Sequence, residues 1–229
     1  MSLFAIGDLH LALGAPEKNM EVFGGRWIGY TDKIRRDFDL VREEDLCVIC
    51  GDTSWAMDLE KALPDFRFLN DLPGRKLLLK GNHDYWWTTA AKMNAFFAAN
   101  GLDRLALLHN SCAQWEDLAV CGTRGWFFEE ETGTEHDGKI LRREVGRLRT
   151  SLTAAGDREK LVFLHYPPLY RNYRCPEILG VLREFSVREC FYGHIHGRGA
   201  HAAVIGEEGG ILYRLISADH LDFYPYKVR

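Results

Sequence analysis

Short apolar runs punctuate the chain, and each gives way to turn-forming or polar residues: LFAIGD, LCVICGD, KLLLKGNHD, RLALLHN, LAVCG, LVFLHYPP, ECFYGH, HAAVIG and ILYRLIS. Their length and their β-branched and aromatic content predict strands, many of them buried on both faces. Between several of them, apolar residues recur at three- and four-residue intervals. This spacing predicts helices over 31–42, 58–71, about 86–99 and about 138–155, with one more over 176–185. Pro64 lies inside the second and marks a point where that helix breaks or restarts. Strands and helices alternate through the first hundred residues and strands dominate the last third, which predicts an α/β fold with a mixed sheet.

A chain of 229 residues with 46% hydrophobic content can bury a substantial core, and its length suits one α/β domain over 1–229. The net charge of −4 supplies no basic field for tracking a phosphate backbone, so nucleic acid is a disfavoured partner. The opening MSLFAIGDLH has no basic region and no small-residue cleavage site, and it reads as a strand rather than an export signal. No window approaches the roughly 20 apolar residues that cross a bilayer. Cys47, Cys50, Cys112, Cys121, Cys175 and Cys190 are scattered, mostly in apolar runs, a pattern expected of buried free thiols in a reducing cytoplasm. Cys47 and Cys50 form a CxxC, but inside a strand positions three apart point to opposite faces, so core thiols are expected there instead of a zinc or redox pair.

The ends of the apolar runs carry the chemistry. Asp8 and His10 follow the first at a spacing of two, which in an extended chain puts both side chains on one side. Asp52 ends the second, Asn82, His83 and Asp84 the third, His165 a later one, and His194 with His196 another. Ligands of open α/β sheets bind beyond the carboxyl ends of the strands, so five strand ends bring oxygen and nitrogen donors to one place. Gly7, Gly51, Gly81 and Gly193, just before them, permit tight turns and close packing. Seven donors exceed what one ion takes with a water position left open, whereas two ions sharing a bridging carboxylate use them all. Such a pair holds both an activated hydroxide and a phosphoryl oxygen, which points to phosphoester hydrolysis.

These residues resemble the calcineurin-like metallophosphoesterases, whose pattern is D-x-H, G-D, G-N-H-[DE], a histidine, and G-H-x-H. All five blocks occur in family order between residues 7 and 197. The resemblance implies two facing mixed β-sheets flanked by helices, a four-layer sandwich. It implies that Asp8, His10 and His196 hold one divalent ion, that Asn82, His165 and His194 hold a second, and that Asp52 bridges them. Manganese, iron, zinc and nickel all suit such donors. His83 is then the catalytic residue, a general acid that protonates or stabilises the leaving oxygen. The alternative is that it caps or packs at the start of the following helix.

The protein-phosphatase branch of that family continues G-D-x-x-D-R-G, with an acid that orients the catalytic histidine and an arginine that grips phosphate. Here Trp55 and Ala56 stand at those positions. Asp84 and Asp58 are candidate replacements for the acid; Arg124, Arg171, Arg174 and Arg198 are candidates for the arginine or ordinary surface residues. Trp55, Trp86 and Trp87 form either an aromatic wall against a flat substrate group or core packing. Residues 11–30 and 126–137 are loops, serving as solvated connections or as a substrate lid. His109, His136, His201 and His220 have no assigned role.

The expected activity is hydrolysis of a phosphomonoester or phosphodiester by a metal-bound hydroxide, on a phosphorylated small molecule, a nucleotide or a protein. The alternatives are a nuclease or cyclic-nucleotide phosphodiesterase and, further off, a non-catalytic interaction scaffold.

Overall fold

The computed structural model describes residues 1–127 and 133–229. The first strands are β1 (Leu3–Ile6), β2 (Leu46–Cys50), β3 (Arg75–Leu79), β4 (Leu105–Leu107), β5 (Cys112–Trp115) and β6 (Leu118–Thr123). They are followed by β7 (Glu159–Leu164), β8 (Leu169–Tyr170), β9 (Tyr173–Arg174), β10 (Glu189–Tyr192), β11 (Gly206–Glu208), β12 (Ile211–Leu215) and β13 (Tyr226–Lys227). The helices are α1 (Tyr30–Asp37), α2 (Leu59–Asp71), α3 (Ala90–Ala99), α4 (Glu135–Ala154) and α5 (Pro176–Glu184).

Two large mixed sheets form, ordered β13-β1-β2-β3-β4 and β11-β12-β10-β7-β6-β5. Strands β1 to β4 run parallel in the first, and β6, β7, β10 and β12 run parallel in the second, with antiparallel strands at three of the edges. Alternation along each strand sorts the side chains into three cores. Leu3, Ala5, Val48 and Leu79 of the first sheet meet Val120, Leu161, Phe163 and Phe191 of the second in the space between them. Phe4, Ile6, Cys47, Ile49 and Leu78 face the other way, onto α1, α2 and α3. Cys121, Val162, Leu164, Cys190 and Tyr192 face α4 and α5. The result is the expected helix, sheet, sheet, helix sandwich.

Cys47 and Cys50 fall in different cores, as the strand period requires, and all six cysteines are free thiols. Among the described residues no helix is long and apolar enough to cross a membrane.

Local chemistry sets the element boundaries. The side chains of Asp58 and Thr89 cap α2 and α3, so α3 starts at Ala90, later than the periodicity alone implies. Thr134 and Asp137 form a reciprocal capping box that starts α4 at Glu135, earlier than expected. Of the anticipated loop over 126–137, residues 128–132 lie outside the described residues and 135–137 are helical. Pro64 neither breaks nor restarts α2, which runs through it. The first helix gives way after Asp37 to a 3-10 turn over Phe38–Leu40.

One strand expectation fails. HAAVIG is not a strand: a 3-10 helix over Gly197–Ala202 takes its first two residues, Ala203 makes only an isolated bridge to Tyr170, and Gly206 alone joins the short β11. Four short strands had no clear apolar run: β5, the β8–β9 hairpin and β13.

Candidate metal centre

Because β1, β2 and β3 are parallel neighbours, as are β7, β10 and β12, their carboxyl ends share one edge of the sandwich. The two sheets meet there. Gly7, just past β1, donates to the Ile216 carbonyl at 2.7 Å, and Ala218 donates back to Gly7 at 2.9 Å. The residues that follow these strands leave the extended conformation at once: Asp8, His10, Asp52 and His194 have φ between 47° and 71°. Non-glycine residues rarely adopt this region, and a cluster of them at one place marks a site whose surroundings hold the strain. The expectation that Asp8 and His10 share a side because the chain is extended is therefore corrected. They lie beyond β1 on a left-handed backbone, anchored by Asp8 N to Gly51 O and His10 N to Asp52 O, both 2.9 Å.

All seven predicted donors are brought together. The Nε2 atoms of His10 and His196 are 3.3 Å apart, and Asp8 Oδ1 is 3.6 Å from His196 Nε2. Asn82 Oδ1 lies 2.6 Å from His165 Nε2 and 3.0 Å from His194 Nδ1. Asp52 Oδ2 sits between the groups, 3.7 Å from His10 Nε2 and 3.6 Å from His165 Nε2. Asp8, His10 and His196 offer ligand atoms within 4.8 Å of one another, and so do Asp8, Asp52 and His165. Two ligands each about 2.1 Å from one ion at octahedral or tetrahedral angles lie about 3.0 to 3.4 Å apart, close to the spacing seen here.

The donor chemistry fits a cation. His165 Nδ1 lies 3.1 Å from the Cys50 carbonyl, which accepts only if that nitrogen carries the proton. His165 Nε2 is then a lone pair aimed at the Asn82 oxygen, and two acceptors at 2.6 Å repel unless a positive charge joins them. His196 is fixed in the same sense: its Nδ1 lies 2.8 Å from Asp219 Oδ1, leaving Nε2 to face Asp8 and His10. Asp219 also accepts from Gly197 N at 2.8 Å.

Sequence reasoning missed Asp219. It follows β12 as Asp52 follows β2, so the available signal was a sixth strand end of the same style, in ILYRLISAD.

Close backbone approach needs glycine at two points. A Cβ on Gly81 would collide with the Asp52 carboxylate, and one on Gly193 with that of Asp8. Asp84 makes the remaining tie between strand ends. Fully buried, it accepts from the backbone N–H of Asp52 (2.9 Å), Thr53 (2.8 Å), Ser54 (3.3 Å) and Gly81 (2.7 Å), and from Trp86 Nε1 (3.0 Å). Asp84 thus positions the backbone of Asp52 and does not orient the His83 ring; Asp58 caps α2. Neither replaces the missing acid.

Burial dominates the electrostatics. It pushes the Asp52 carboxyl well above the usual range, aided by the charge of Asp8, and lowers His10, His165 and His194, the last to about 3. For Asp8 burial pushes upward, but His196, His165 and His10 outweigh it and hold the carboxyl well below the ordinary value. Conversely, burial opposes charge on His196, yet Asp8 and Asp219 raise it to about 10. Without an ion, a proton on His196 joins the two carboxylates.

His83 is half-buried at the rim. Its backbone N–H donates to Asp52 Oδ1 at 2.7 Å, while its ring Nδ1 has no hydrogen-bond partner among the described residues. Burial, then His165, lowers its pKa. It does not cap α3, whose cap is Thr89. Instead the ring packs on Trp55, centroids 4.4 Å apart, and Trp55 in turn stacks on His10 at 4.9 Å and 24°. All three tryptophans pack in or against the helix-side core, and Trp55 also lines the groove above the centre as a wall.

A groove of about 520 Å³ opens above these rings, with His10, His83 and His196 on its floor and Met20, Phe23, Trp27 and Trp55 on its sides. Much of that wall comes from residues 11–30, folded as three 3-10 turns, with Tyr30 anchored by its hydroxyl to the His10 carbonyl at 3.0 Å. Of the candidate arginines, Arg174 pairs with Glu208, Arg124 with Glu144, and Arg171 lies over Tyr170. Arg198 lines a second pocket with Arg26, His201 and His220.

The fold is shared with solved structures of distant sequence. A phosphopantetheinyl hydrolase from Mycobacterium tuberculosis aligns over 99% of this chain and 95% of its own, with TM-score 0.63 and 13% identity. The protein TT1561 of Thermus thermophilus aligns over 92% of this chain and 86% of its own, with TM-score 0.55 and 13% identity. A protein of unknown function from Aquifex aeolicus aligns over 99% and 95%, with TM-score 0.53 and 13% identity. No curated protein sequence matches the chain. The family model for calcineurin-like phosphoesterases matches residues 1–198, the stretch that carries all seven donors and His83. The chain belongs to the calcineurin-like phosphoesterase family.

Proposed function

We propose that this protein is a binuclear metal-dependent phosphoesterase, with Asp8, His10 and His196 holding one divalent ion, Asn82, His165 and His194 the other, and Asp52 between them. The observation that carries the reading is the convergence of lone-pair atoms at 2.6 to 3.7 Å with both ring tautomers fixed from behind, by the Cys50 carbonyl and Asp219. Manganese, iron, zinc and nickel all suit these donors. The chemistry such ions supply when bound is neutralisation of phosphoryl charge and a lowered pKa for water.

The protein's own groups do the rest. His83, at the rim and held from one side by Trp55, gives a proton or hydrogen bond to the oxygen that departs as the P–O bond breaks and a water oxygen joins phosphorus. The groove walls bind the organic part of the substrate and keep bulk water from its scissile side. The fold shared with a phosphopantetheinyl hydrolase supports a phosphoester joined to an extended organic group, and the apolar walls of Phe23, Trp27 and Trp55 accord with it. Buried free thiols accord with a cytoplasmic setting.

The test combines elemental analysis of the purified protein with turnover of p-nitrophenyl phosphate and bis(p-nitrophenyl) phosphate. Chelation is expected to abolish hydrolysis and manganese to restore it. His83→Ala is expected to keep its metal and lose most turnover; full activity in that variant removes His83 from the mechanism, and failure to bind divalent metal rejects the proposal.

A further inference from the structure

Beside the groove lies a second pocket of about 460 Å³, lined by Arg26, Arg198, His201 and His220 and sharing Arg26, Gly197 and Asp219 with the groove. It concentrates positive charge in a chain whose net charge is −4. The one acid in its lining, Asp219, offsets one of the two guanidiniums and turns its carboxylate to His196 Nδ1 and Gly197 N, which leaves the lining with a net positive charge. Its carbonyl meanwhile accepts from Arg26 at 2.6 Å, which holds that guanidinium at the boundary of the two cavities. Arg198 is exposed and makes no hydrogen bond or ion pair among the described residues. A guanidinium with its fork free is a ready partner for an oxyanion.

We propose that this pocket is a subsite for a second anionic group carried by the same substrate whose phosphoester lies at the metal centre. His196 and Arg198 are two positions apart in the chain, so their Cα atoms are separated by at most about 7 Å. A molecule reaching from one to the other crosses Gly197, where no side chain stands in the way. The substrate class is accordingly a phosphoester whose organic part carries a phosphate on its far side. The simple nitrophenyl esters contain no such group and fill only part of the site.

The inference rests on the phosphoesterase reading, and two measurements keep their failures apart. The first is binding: calorimetric titration of the chelator-treated protein with thymidine 3′,5′-bisphosphate and with thymidine 5′-phosphate. About tenfold tighter binding of the bisphosphate is expected, falling below twofold in the double variant Arg26→Gln/Arg198→Gln and largely kept in Arg198→Lys. The second is turnover with manganese of thymidine 5′-(p-nitrophenyl phosphate) against its 3′-phosphorylated form, read as the ratio of kcat/KM. The same preference and the same collapse are expected.

No hydrolysis of either ester, with the binding preference intact, rejects the enzyme reading and leaves the anion site. Equal binding of the two nucleotides by the native protein, or a preference that survives the double variant, overturns the subsite. Inorganic phosphate binding as tightly as the bisphosphate also overturns it, since the site would then be independent of the substrate.

Discussion

Asp219→Asn tests the centre through a residue that is not itself a proposed ligand. The Asp219 carboxylate accepts two bonds of 2.8 Å, from His196 Nδ1 and Gly197 N, and the residue is 4% exposed. An amide in its place has one acceptor oxygen for two donors, so either Gly197 loses its partner or His196 meets an N–H. The second outcome moves the imidazole proton to Nε2, the atom that faces Asp8 and His10. Loss of a carboxylate behind a ligating histidine lowers metal affinity about 10- to 100-fold, or roughly 1.4 to 2.7 kcal/mol. That range matches the roughly 1.5 to 3 kcal/mol of one hydrogen bond to a charged group. The assay is calorimetric titration of chelator-stripped protein with manganese, beside urea unfolding in chelator to confirm that the variant folds. Manganese affinity within twofold of the native protein, in a folded variant, would refute the argument that His196 is held as a ligand by Asp219.

Trp55→Ala removes the surface on which both His10 and His83 lie; with aromatic contacts at about 0.5 to 1.5 kcal/mol each, kcat on bis(p-nitrophenyl) phosphate should fall several-fold to tenfold, and Trp55→Phe should recover much of it. A change confined to KM would assign Trp55 to binding alone. Asp84→Ala strands four backbone N–H groups at about 1 to 3 kcal/mol each, a loss of at least about 4 kcal/mol against a typical total of 5 to 15, read by urea unfolding in chelator. Asp65, buried and accepting from Ser54 Oγ and Leu13 N, is raised by burial from 3.8 to about 6. The folded state therefore holds this proton more tightly than the unfolded chain. Its contribution is full below pH 3.8 and is lost as pH rises through about 6, costing up to about 3 kcal/mol. Asp65→Asn should lose that part of the slope, measured as unfolding free energy at pH 4.5 and 7; an unchanged slope would discount Asp65.

The site was more legible in the sequence than its surroundings, for a physical reason. Donors at strand ends are few, polar and adjacent to long apolar runs, so Asp8, Asp52, Asn82, His165 and His194 stand out against β1, β2, β3, β7 and β10. Asp219 sits in the same place after β12 but belongs to no recognisable block, and Arg26 is distant in sequence from the Asp219 carbonyl it donates to and from Arg198, with which it lines the pocket. Periodicity could mark Asp219 as a strand-end acid but could not bring it to His196, and it says nothing of Arg26, because tertiary packing alone sets which strand ends are neighbours. The edge strand β5, CAQW, is only partly buried and carries no apolar run, and β13 has too few residues for a pattern to register. The left-handed backbone at Asp8 and His10 was equally invisible, since their spacing of two mimics an extended chain.

The backbone bonds between Gly7 and Ile216 and between Ala218 and Gly7 stitch one sheet to the other beside the centre. Donors from the two sheets consequently cannot drift apart as the sandwich breathes, since separating them means first unzipping that seam. Hydrogen exchange at Gly7 and Ala218 should then be as slow as in the middle of the sheets, while the groove wall over residues 11–30 exchanges faster. Adaptation to new substrates is free to act on that wall and on the arginines without retuning the spacing between the candidate ligands.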